Sequence, residues 1–198
     1  MAIKGLRGFR ICVLTTDTNE TLTYASDIKK LIGARNIKIS PKTSSGELRG
    51  DDGVLLVEST TDSIEVEIDV AELSLAEKAL LTGQTYENGI LKENKDATPP
   101  EVAFGFIAPL STGGYRRKWL LKGCAEPLEE EAKTKEDKIE YQTQKIKFKF
   151  IPRIHDGEFA FTSDSNEEGS PIDDEFFTPT FLKTGAKPLP SLKSIDKK

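Results

Sequence analysis

The sequence predicts a mainly β protein, an antiparallel β-sandwich or barrel with one short α-helix, and three observations lead to this prediction. Residues Ile64–Val70 alternate strictly between apolar and acidic side chains, which is the period of a half-buried strand. Further short apolar segments, bounded by Gly, Pro, Asn or Asp, recur along the chain. Only residues 74–83 carry the signals of a helix. We therefore expect about eight or nine strands in total.

The first part of the chain is predicted to form two strands and a long hairpin. Residues Phe9–Thr15 are apolar on both faces, which is typical of a central or covered strand. A second strand is predicted over Leu31–Ser40, and Pro41 is expected to end it because proline cannot continue a central ladder. Residues 42–61 are expected to form a projecting hairpin, since Asp51-Asp52-Gly53 has the chemistry of a tight turn.

The predicted helix, residues 74–83, follows the alternating strand. Ser74-Leu75-Ala76-Glu77 fits a capping box, in which the serine hydroxyl accepts from the Glu77 amide and the glutamate accepts from the Ser74 amide. Gly83 can end the helix in the left-handed conformation. Asn88-Gly89 then gives the strongest short-range signal for a β-hairpin.

Four more strands are predicted in the second part of the chain. They are Glu101–Leu110, Tyr115–Cys124, Ile139–Ile151 and Glu158–Phe161. Within the third of these strands the apolar side chains change phase, which predicts a β-bulge between Gln142 and Lys145 because one extra residue moves the side chains to the opposite face.

These elements are expected to form one domain, residues 1–161, followed by an extended arm, residues 162–198. The arm is rich in Ser, Asp, Glu and Pro, and a segment of this kind cannot bury enough apolar surface to fold alone. We expect the arm to be held against another surface by its three phenylalanines, Phe176, Phe177 and Phe181.

Charge and hydropathy exclude several classes of protein. The net charge of −5 at pH 7 and the pI of about 5.2 argue against a general nucleic-acid or membrane-surface binder. No apolar run approaches the roughly 18 residues that span a bilayer, and the first residues lack the apolar centre of a signal peptide. We expect a soluble protein that is made in the cytoplasm and has no membrane partner.

No pattern in the sequence predicts an enzyme, a cofactor or a metal site. The single histidine, His155, is interpreted as a turn residue, since no third group completes a catalytic set. Cys12 and Cys124 lack metal-ligand spacing and are expected to be free, buried thiols. The acidic clusters lack the spacing of a calcium loop and are interpreted as solvated charge; they are Asp51-Asp52, Glu129–Glu131 and Asp173–Glu175.

Several motifs over about residues 5 to 152 occur in a distinctive order. The Asp-Asp-Gly hairpin, the acidic alternating strand and a Leu-Ser-x-x-Glu helix that ends in Leu-Leu-x-Gly are followed by Phe104–Ile107, Arg117–Leu120, Ala125–Pro127 and Thr134–Thr143. In this order and spacing they resemble the major tail protein, or tail-tube subunit, of long flexible-tailed phages of Gram-positive bacteria.

This resemblance implies a structural virion protein of the phage tail, assembled in the host cytoplasm, with the tail-tube β-sandwich fold and no enzymatic activity. Hexameric rings would stack around a tape-measure protein into a hollow tube through which double-stranded DNA leaves the capsid. A distal tail protein and a tail terminator protein would be further partners. The arm would supply a second contact between rings or an outer decoration.

Two sets of residues are candidates for these roles. The apolar run beside the hairpin turn has no evident partner within a small domain, so we expect it to contact the next ring; the candidates are Leu48, Val54, Leu55, Leu56 and Val57. The alternative is a hairpin folded back on its own core. Acidic side chains that face the lumen would repel DNA phosphates, and the candidates are Glu65, Glu67 and Asp69.

Two other functions fit the sequence. One is a different virion component, such as a tail terminator or a capsid decoration protein, which would form rings without growing into a tube. The other is a monomeric β-sandwich binding module, for carbohydrate for instance, which would need an exposed aromatic platform or a calcium site.

Overall fold

The computed structural model describes residues 2–50, 53–128 and 143–186, and these residues form ten β-strands and three short α-helices. The strands are β1 (Arg7–Asp17), β2 (Leu22–Leu31), β3 (Ala34–Gly50), β4 (Gly53–Val70), β5 (Thr85–Glu87), β6 (Ile90–Lys92), β7 (Val102–Pro109), β8 (Tyr115–Ala125), β9 (Gln144–Phe150) and β10 (Ala160–Asp164). The helices are α1 (Leu75–Thr82), α2 (Asp173–Phe176) and α3 (Pro179–Thr184).

Eight of the strands form one antiparallel sheet in the order β2-β1-β7-β8-β9-β4-β3, with β10 paired to β8, and β5 and β6 form a separate hairpin. β8 pairs with β10 through Arg116–Leu120 and with β9 through Gly123–Ala125. β1 lies against β3 although four strands separate them in the sheet order, so the sheet is rolled. The prediction of a mainly β, antiparallel architecture is confirmed.

The rolled sheet has an apolar core on each face. The first core is built from six strands and is sealed by α1; it includes Phe9, Ile11, Leu31, Ile64, Val66, Ile68, Leu81, Phe104, Leu120, Ile146, Phe148 and Phe150. The second core covers the opposite face and includes Cys12, Leu14, Tyr24, Trp119, Leu121, Phe176, Phe181 and Leu182. Because β1 contributes to both cores, its side chains are apolar in both phases.

Helix α1 begins after Ser74 and ends at Gly83. The Ser74 hydroxyl accepts from the Glu77 amide, and a Glu77 carboxylate oxygen lies 2.8 Å from the Ser74 amide nitrogen that donates to it. Both hydrogen bonds of the predicted capping box are therefore present. The helix buries Ala79 and Leu81, and in this way it closes the first core at the end of β4.

Residues 162–186 are folded, not extended as expected for the arm. β10 continues to Asp164, so the predicted boundary at residue 162 falls within a strand, and two helices, α2 and α3, lie in a segment where none was predicted. The apolar face of β1, β7 and β8 supplies the partner that these residues need, since Phe176, Phe181 and Leu182 are buried on it. Residues 187–198 of the arm lie outside the described residues.

One strand was missed, and one predicted strand end was wrong. Leu22–Leu31 forms the edge strand β2, and its charged side chains at Asp27, Lys29 and Lys30 hide the alternation. Pro41 lies within β3 and does not end it, because β3 is an edge strand, where a residue without an N–H need not break the ladder. The predicted bulge between Gln142 and Lys145 begins outside the described residues.

Candidate assembly surfaces

The most prominent surface is a two-stranded ribbon, which we define as residues 43–50 of β3 and 53–61 of β4. β4 pairs with β9 only through Ile64–Val70, whereas its pairing with β3 continues to Gly50 opposite Gly53. Since a strand rises about 3.3 Å per residue, the eight paired residues of each strand extend about 26 Å from the sheet. The ribbon therefore projects from the domain and is not folded back on the core.

The ribbon carries apolar side chains toward its tip. Leu56 is 51% exposed and Val57 is 58% exposed, and Leu56 lies opposite Leu48 in the register. The side chains of Leu48, Val54 and Leu55 lie outside the described part of the structure. A two-stranded hairpin is at best marginally stable alone in water, so packing of this tip against another surface would stabilise it.

The second candidate surface is the face of β4 that carries Glu65, Glu67 and Asp69. The apolar residues between them are buried in the first core, and the three acidic side chains point away from it. Glu65 lies 3.1 Å from Lys42, and Glu67 lies 3.8 Å from Lys145. The structure thus brings the three predicted acids into one row.

This row is flanked by lysines on both neighbouring strands. Glu67 lies opposite Lys38 of β3 and Lys147 of β9, and β9 also places Lys145 opposite Asp69 and Lys149 opposite Glu65. Four register-paired lysines therefore surround three acids. The expectation of an acidic sheet face is wrong, because the pattern of β4 alone does not show which charges its neighbours bring.

The three phenylalanines predicted as anchors lie on the second face of the sheet. Phe176 and Phe181 are buried, and their ring centroids are 4.6 Å apart. Phe177 is half-buried between the Trp119 ring, at 5.3 Å between centroids, and the Arg10 guanidinium, at 3.8 Å from its centroid. The aromatic cluster fixes α2 and α3 on β1 and β8.

Polar contacts hold the same helices in place. The Trp119 indole N–H donates to the Phe176 carbonyl at 2.9 Å. The buried Arg117 donates through Nε to Asp173 at 2.5 Å, while its Nη1 is buried with no hydrogen-bond partner. The C-terminal helices are therefore an integral layer of the domain.

Sequence reasoning missed a buried polar network at the end of β1. The Lys122 ammonium donates to the Asp17 carboxylate at 2.8 Å, and Asp17 also accepts from the amides of Ile154 and His155. Arg153, which is fully buried, donates to the Leu182 carbonyl at 2.5 Å and to Asp156. Two weak signals of this network are present in the sequence. Lys122 is a charged residue inside an apolar strand, and Arg153 is a charged residue next to a turn.

The groups in this network are paired, which indicates a structural role. Burial raises the pKa of Tyr24 to about 12, so its hydroxyl is protonated and donates to the Leu121 carbonyl at 2.9 Å. Asp17 joins the turn at Ile154 and His155 to β8 through Lys122. Such an arrangement locks the turn after β9 onto β1 rather than activating a nucleophile or a base.

The histidine and the two cysteines are not joined into a catalytic set. His155 Nδ1 lies 3.2 Å from the Thr18 carbonyl oxygen, and Asp156 pairs with Arg153 rather than with the histidine. Cys12 is buried, and burial raises the pKa of its thiol to about 12. Cys124 is exposed, so the expectation of two buried thiols is wrong for it.

Two further findings apply to residues 2–50, 53–128 and 143–186. No group of three or more His, Cys, Asp or Glu side chains in these ranges is arranged to hold a metal ion. No helix in the same ranges has the length and apolar character needed to cross a membrane.

No protein-family model matches the sequence, and no curated protein matches it.

Proposed function

We propose that this chain is a tail-tube subunit of a long flexible-tailed phage, a structural virion protein whose hexameric rings stack into the tube that conducts double-stranded DNA. The observation that carries the proposal is the ribbon, which extends about 26 Å from the sheet and exposes Leu56 and Val57. An exposed apolar tip on a long two-stranded projection fits a contact with another molecule better than a role within one domain.

The open edges of the sheet support assembly into rings. β2 and β3 are the two end strands in the sheet order, and each has one side without a strand partner among the described residues. Pairing of the β2 edge of one copy with the β3 edge of the next would satisfy these backbone groups and would remove an aggregation hazard. Such a contact uses two different surfaces, so it closes into a ring when the rotation allows.

The ribbon would supply the contact between rings. It leaves the sheet at Ser63 and Ile64, whereas α1 follows the opposite end of β4. A head-to-tail contact of this kind joins unlike surfaces and propagates into a filament. In this proposal the remaining partners are the tape-measure, distal tail and tail terminator proteins, DNA passes transiently, and neither a membrane nor a cofactor takes part.

Negative-stain electron microscopy of the purified protein at rising concentration tests the proposal. We expect hollow tubes or sixfold rings from the full chain, and rings without stacking from a variant that lacks Thr43–Ser59. A point variant, Leu56→Ser with Val57→Ser, should also lose stacking, because the exposed apolar area at the tip is removed. Thr60→Ser with Thr61→Ser at the base of the ribbon is the matched control and should stack normally.

The other possible results of this experiment would favour a different function. Rings that never stack at any concentration would favour a tail terminator. A compact monomer that stays monomeric with added tape-measure protein would contradict the tube proposal and would favour a binding module. Circular dichroism of every variant shows whether a loss of stacking is a loss of folding instead.

A further inference from the structure

The β5–β6 hairpin is separate from the main sheet. Its strands have three residues each, and among the described residues they pair only with each other. Every residue from 85 to 90 is exposed. Because a two-stranded hairpin is at best marginally stable in water, its turn should open to solvent more often than the turns of the eight-stranded sheet.

Asn88 and Gly89 form the turn of this hairpin. Both have a positive φ, 52° for Asn88 and 80° for Gly89, as a tight two-residue turn between Glu87 and Ile90 requires. A Cβ added at Gly89 would meet nothing within 4 Å. The space beside this glycine is therefore open.

Asn88 also differs from the other asparagines in the residue that follows it. Of the five asparagines in the chain it alone precedes glycine; the others precede Glu20, Ile37, Lys95 and Glu167. A side chain on the following residue hinders approach to its backbone nitrogen, whereas a glycine leaves that nitrogen accessible. Asn166 is held in addition, since its Nδ2 donates to the Gly113 carbonyl at 3.3 Å.

Asp156 precedes a glycine too, but the structure protects it. Its Oδ1 accepts from Arg153 Nε at 2.9 Å and from the Glu158 amide at 3.1 Å, and its Oδ2 accepts from Arg153 Nη2. Arg153 is buried, so this carboxylate cannot turn toward the Gly157 nitrogen. By contrast, the Asn88 carboxamide has no hydrogen-bond partner within residues 2–50, 53–128 and 143–186.

We propose that Asn88 is a site of spontaneous covalent modification. The backbone nitrogen of Gly89 attacks Cγ of Asn88, and the new N–Cγ bond closes a cyclic imide. The Cγ–Nδ2 bond breaks, and Nδ2 leaves as ammonia with the proton that the Gly89 nitrogen loses. Water then opens the ring at either carbonyl, which leaves aspartate or isoaspartate at this position. No atom is oxidised or reduced, and water is the only co-reactant.

Isoaspartate at this position would open the hairpin. It lengthens the backbone of the turn by one carbon, which the close pairing of Glu87 with Ile90 does not accommodate, and its carboxylate adds a second negative charge beside Glu87. Helix α1 lies against both β5 and β6, so the conversion would also loosen the cover of that helix. The inference is independent of the proposed tail-tube function.

Peptide mapping by mass spectrometry, after incubation of the full chain at mildly alkaline pH, tests this inference. Asn88 should convert at least about tenfold faster than each of the other asparagines, because its turn opens locally. Both aspartate and isoaspartate should appear. In urea the rate at Asn88 should rise by less than about tenfold, whereas isomerisation of Asp156 should rise by more, since unfolding removes its bonds to Arg153.

Two glycine variants with similar backbone strain provide the matched comparison. Gly89→Ala should slow conversion of Asn88 by at least about tenfold, because a Cβ hinders the attacking nitrogen. Gly157→Ala, at a glycine with φ of 73° and equally open space, should leave that rate unchanged.

Conversion of Asn88 at the rate of the other asparagines would overturn the inference. Formation of aspartate without isoaspartate would also overturn it, because no cyclic imide would then have formed. The wild-type measurement decides both points even if a glycine variant fails to fold, which circular dichroism would show. Failure of the chain to form tubes has no bearing on any of these outcomes.

Discussion

Trp119 links the sheet to its C-terminal layer through packing and through one hydrogen bond. Its ring is fully buried in the second core, and its indole N–H donates to the Phe176 carbonyl. Gly105 lies opposite Trp119 in the pairing of β7 with β8, and a Cβ at this position would lie 2.7 Å from the Trp119 ring. The tryptophan can therefore occupy this site only because residue 105 has no side chain.

The Gly105→Ala substitution should destabilise the protein by about 1–3 kcal/mol, because an added methyl group overpacks the core against the Trp119 ring. Urea unfolding followed by tryptophan fluorescence measures this loss. Gly46→Ala is the control, since a Cβ there meets nothing within 4 Å, and its effect should stay within about 0.5 kcal/mol. Equal effects of the two substitutions would contradict the packing argument.

The stability of the fold should depend on pH through the carboxyl group of Asp17. Burial alone raises the pKa of Asp17, but hydrogen bonds from Lys122 and from the amides of Ile154 and His155 outweigh burial and hold the pKa below its ordinary value. A carboxylate with a lower pKa in the folded state stabilises the fold above its unfolded pKa, near 4, and this contribution is lost as pH falls through the folded pKa.

The Asp17→Asn variant should therefore be less stable by about 3 kcal/mol at pH 7, because it removes the closer charge partner of the buried Lys122 and leaves only Glu101, at 3.5 Å. The gap between wild type and variant should narrow as the pH is lowered below about 4. Urea unfolding at a series of pH values measures the gap. A constant gap from neutral to acidic pH would show that the Asp17 carboxylate is not the group responsible.

Among the structural elements, α2 and α3 depend most on their tertiary setting. They have only four and six residues, and short helices of this kind are not stable alone. Phe176, Phe181 and Leu182 give them an apolar face that fits the face of β1, β7 and β8. The helices and the second face of the sheet thus fold as one unit.

The Phe176→Ala substitution should cost about 3–5 kcal/mol of stability, as expected for the loss of a fully buried aromatic side chain. Ile172→Ala, at a side chain that is 60% exposed beside α2, is the control and should have an effect below about 0.5 kcal/mol. Thermal and urea unfolding measure both variants. If Phe176→Ala were harmless, the segment would behave as the loosely held arm that its composition suggested.

At the scale of the whole molecule, the mixed charge on the β3-β4-β9 face changes the role expected for the acids. In the proposed tube, Glu65, Glu67 and Asp69 would offset the attraction of the surrounding lysines for DNA phosphates. Their main effect would then be to keep DNA from binding, since four lysines lie opposite or beside them.

Neutralising the three acids tests this role. The Glu65→Gln, Glu67→Gln, Asp69→Asn variant should bind double-stranded DNA in fluorescence anisotropy, and the binding should weaken steeply as salt is raised. The wild type should bind weakly at the same salt. A variant with Glu20, Glu158 and Glu168 changed to Gln has the same net charge and should behave as the wild type. Equal binding by both variants would show that net charge, not this face, decides the interaction.

The sequence by itself determined the structural elements that depend on residues close together along the chain. The alternation of Ile64–Val70 and the capping box at Ser74 depend on residues that are near neighbours along the chain, so both were readable in advance. The length of the ribbon was likewise visible from the turn at its tip and the two segments beside it. The apolar residues in both phases of Phe9–Thr15 also indicated a strand that is covered on both faces.

Only the tertiary structure decided the charge of the β4 face, the fold of residues 162–186 and the network around Asp17. Each depends on residues far apart in the chain: Lys145, Lys147 and Lys149 flank acids of β4, Trp119 meets Phe176, and Asp17 meets Lys122. A strand pattern records which side chains face the core, but not which strand lies beside it. A polar segment folds when an apolar face elsewhere offsets its conformational entropy, and that face exists only in the assembled sheet.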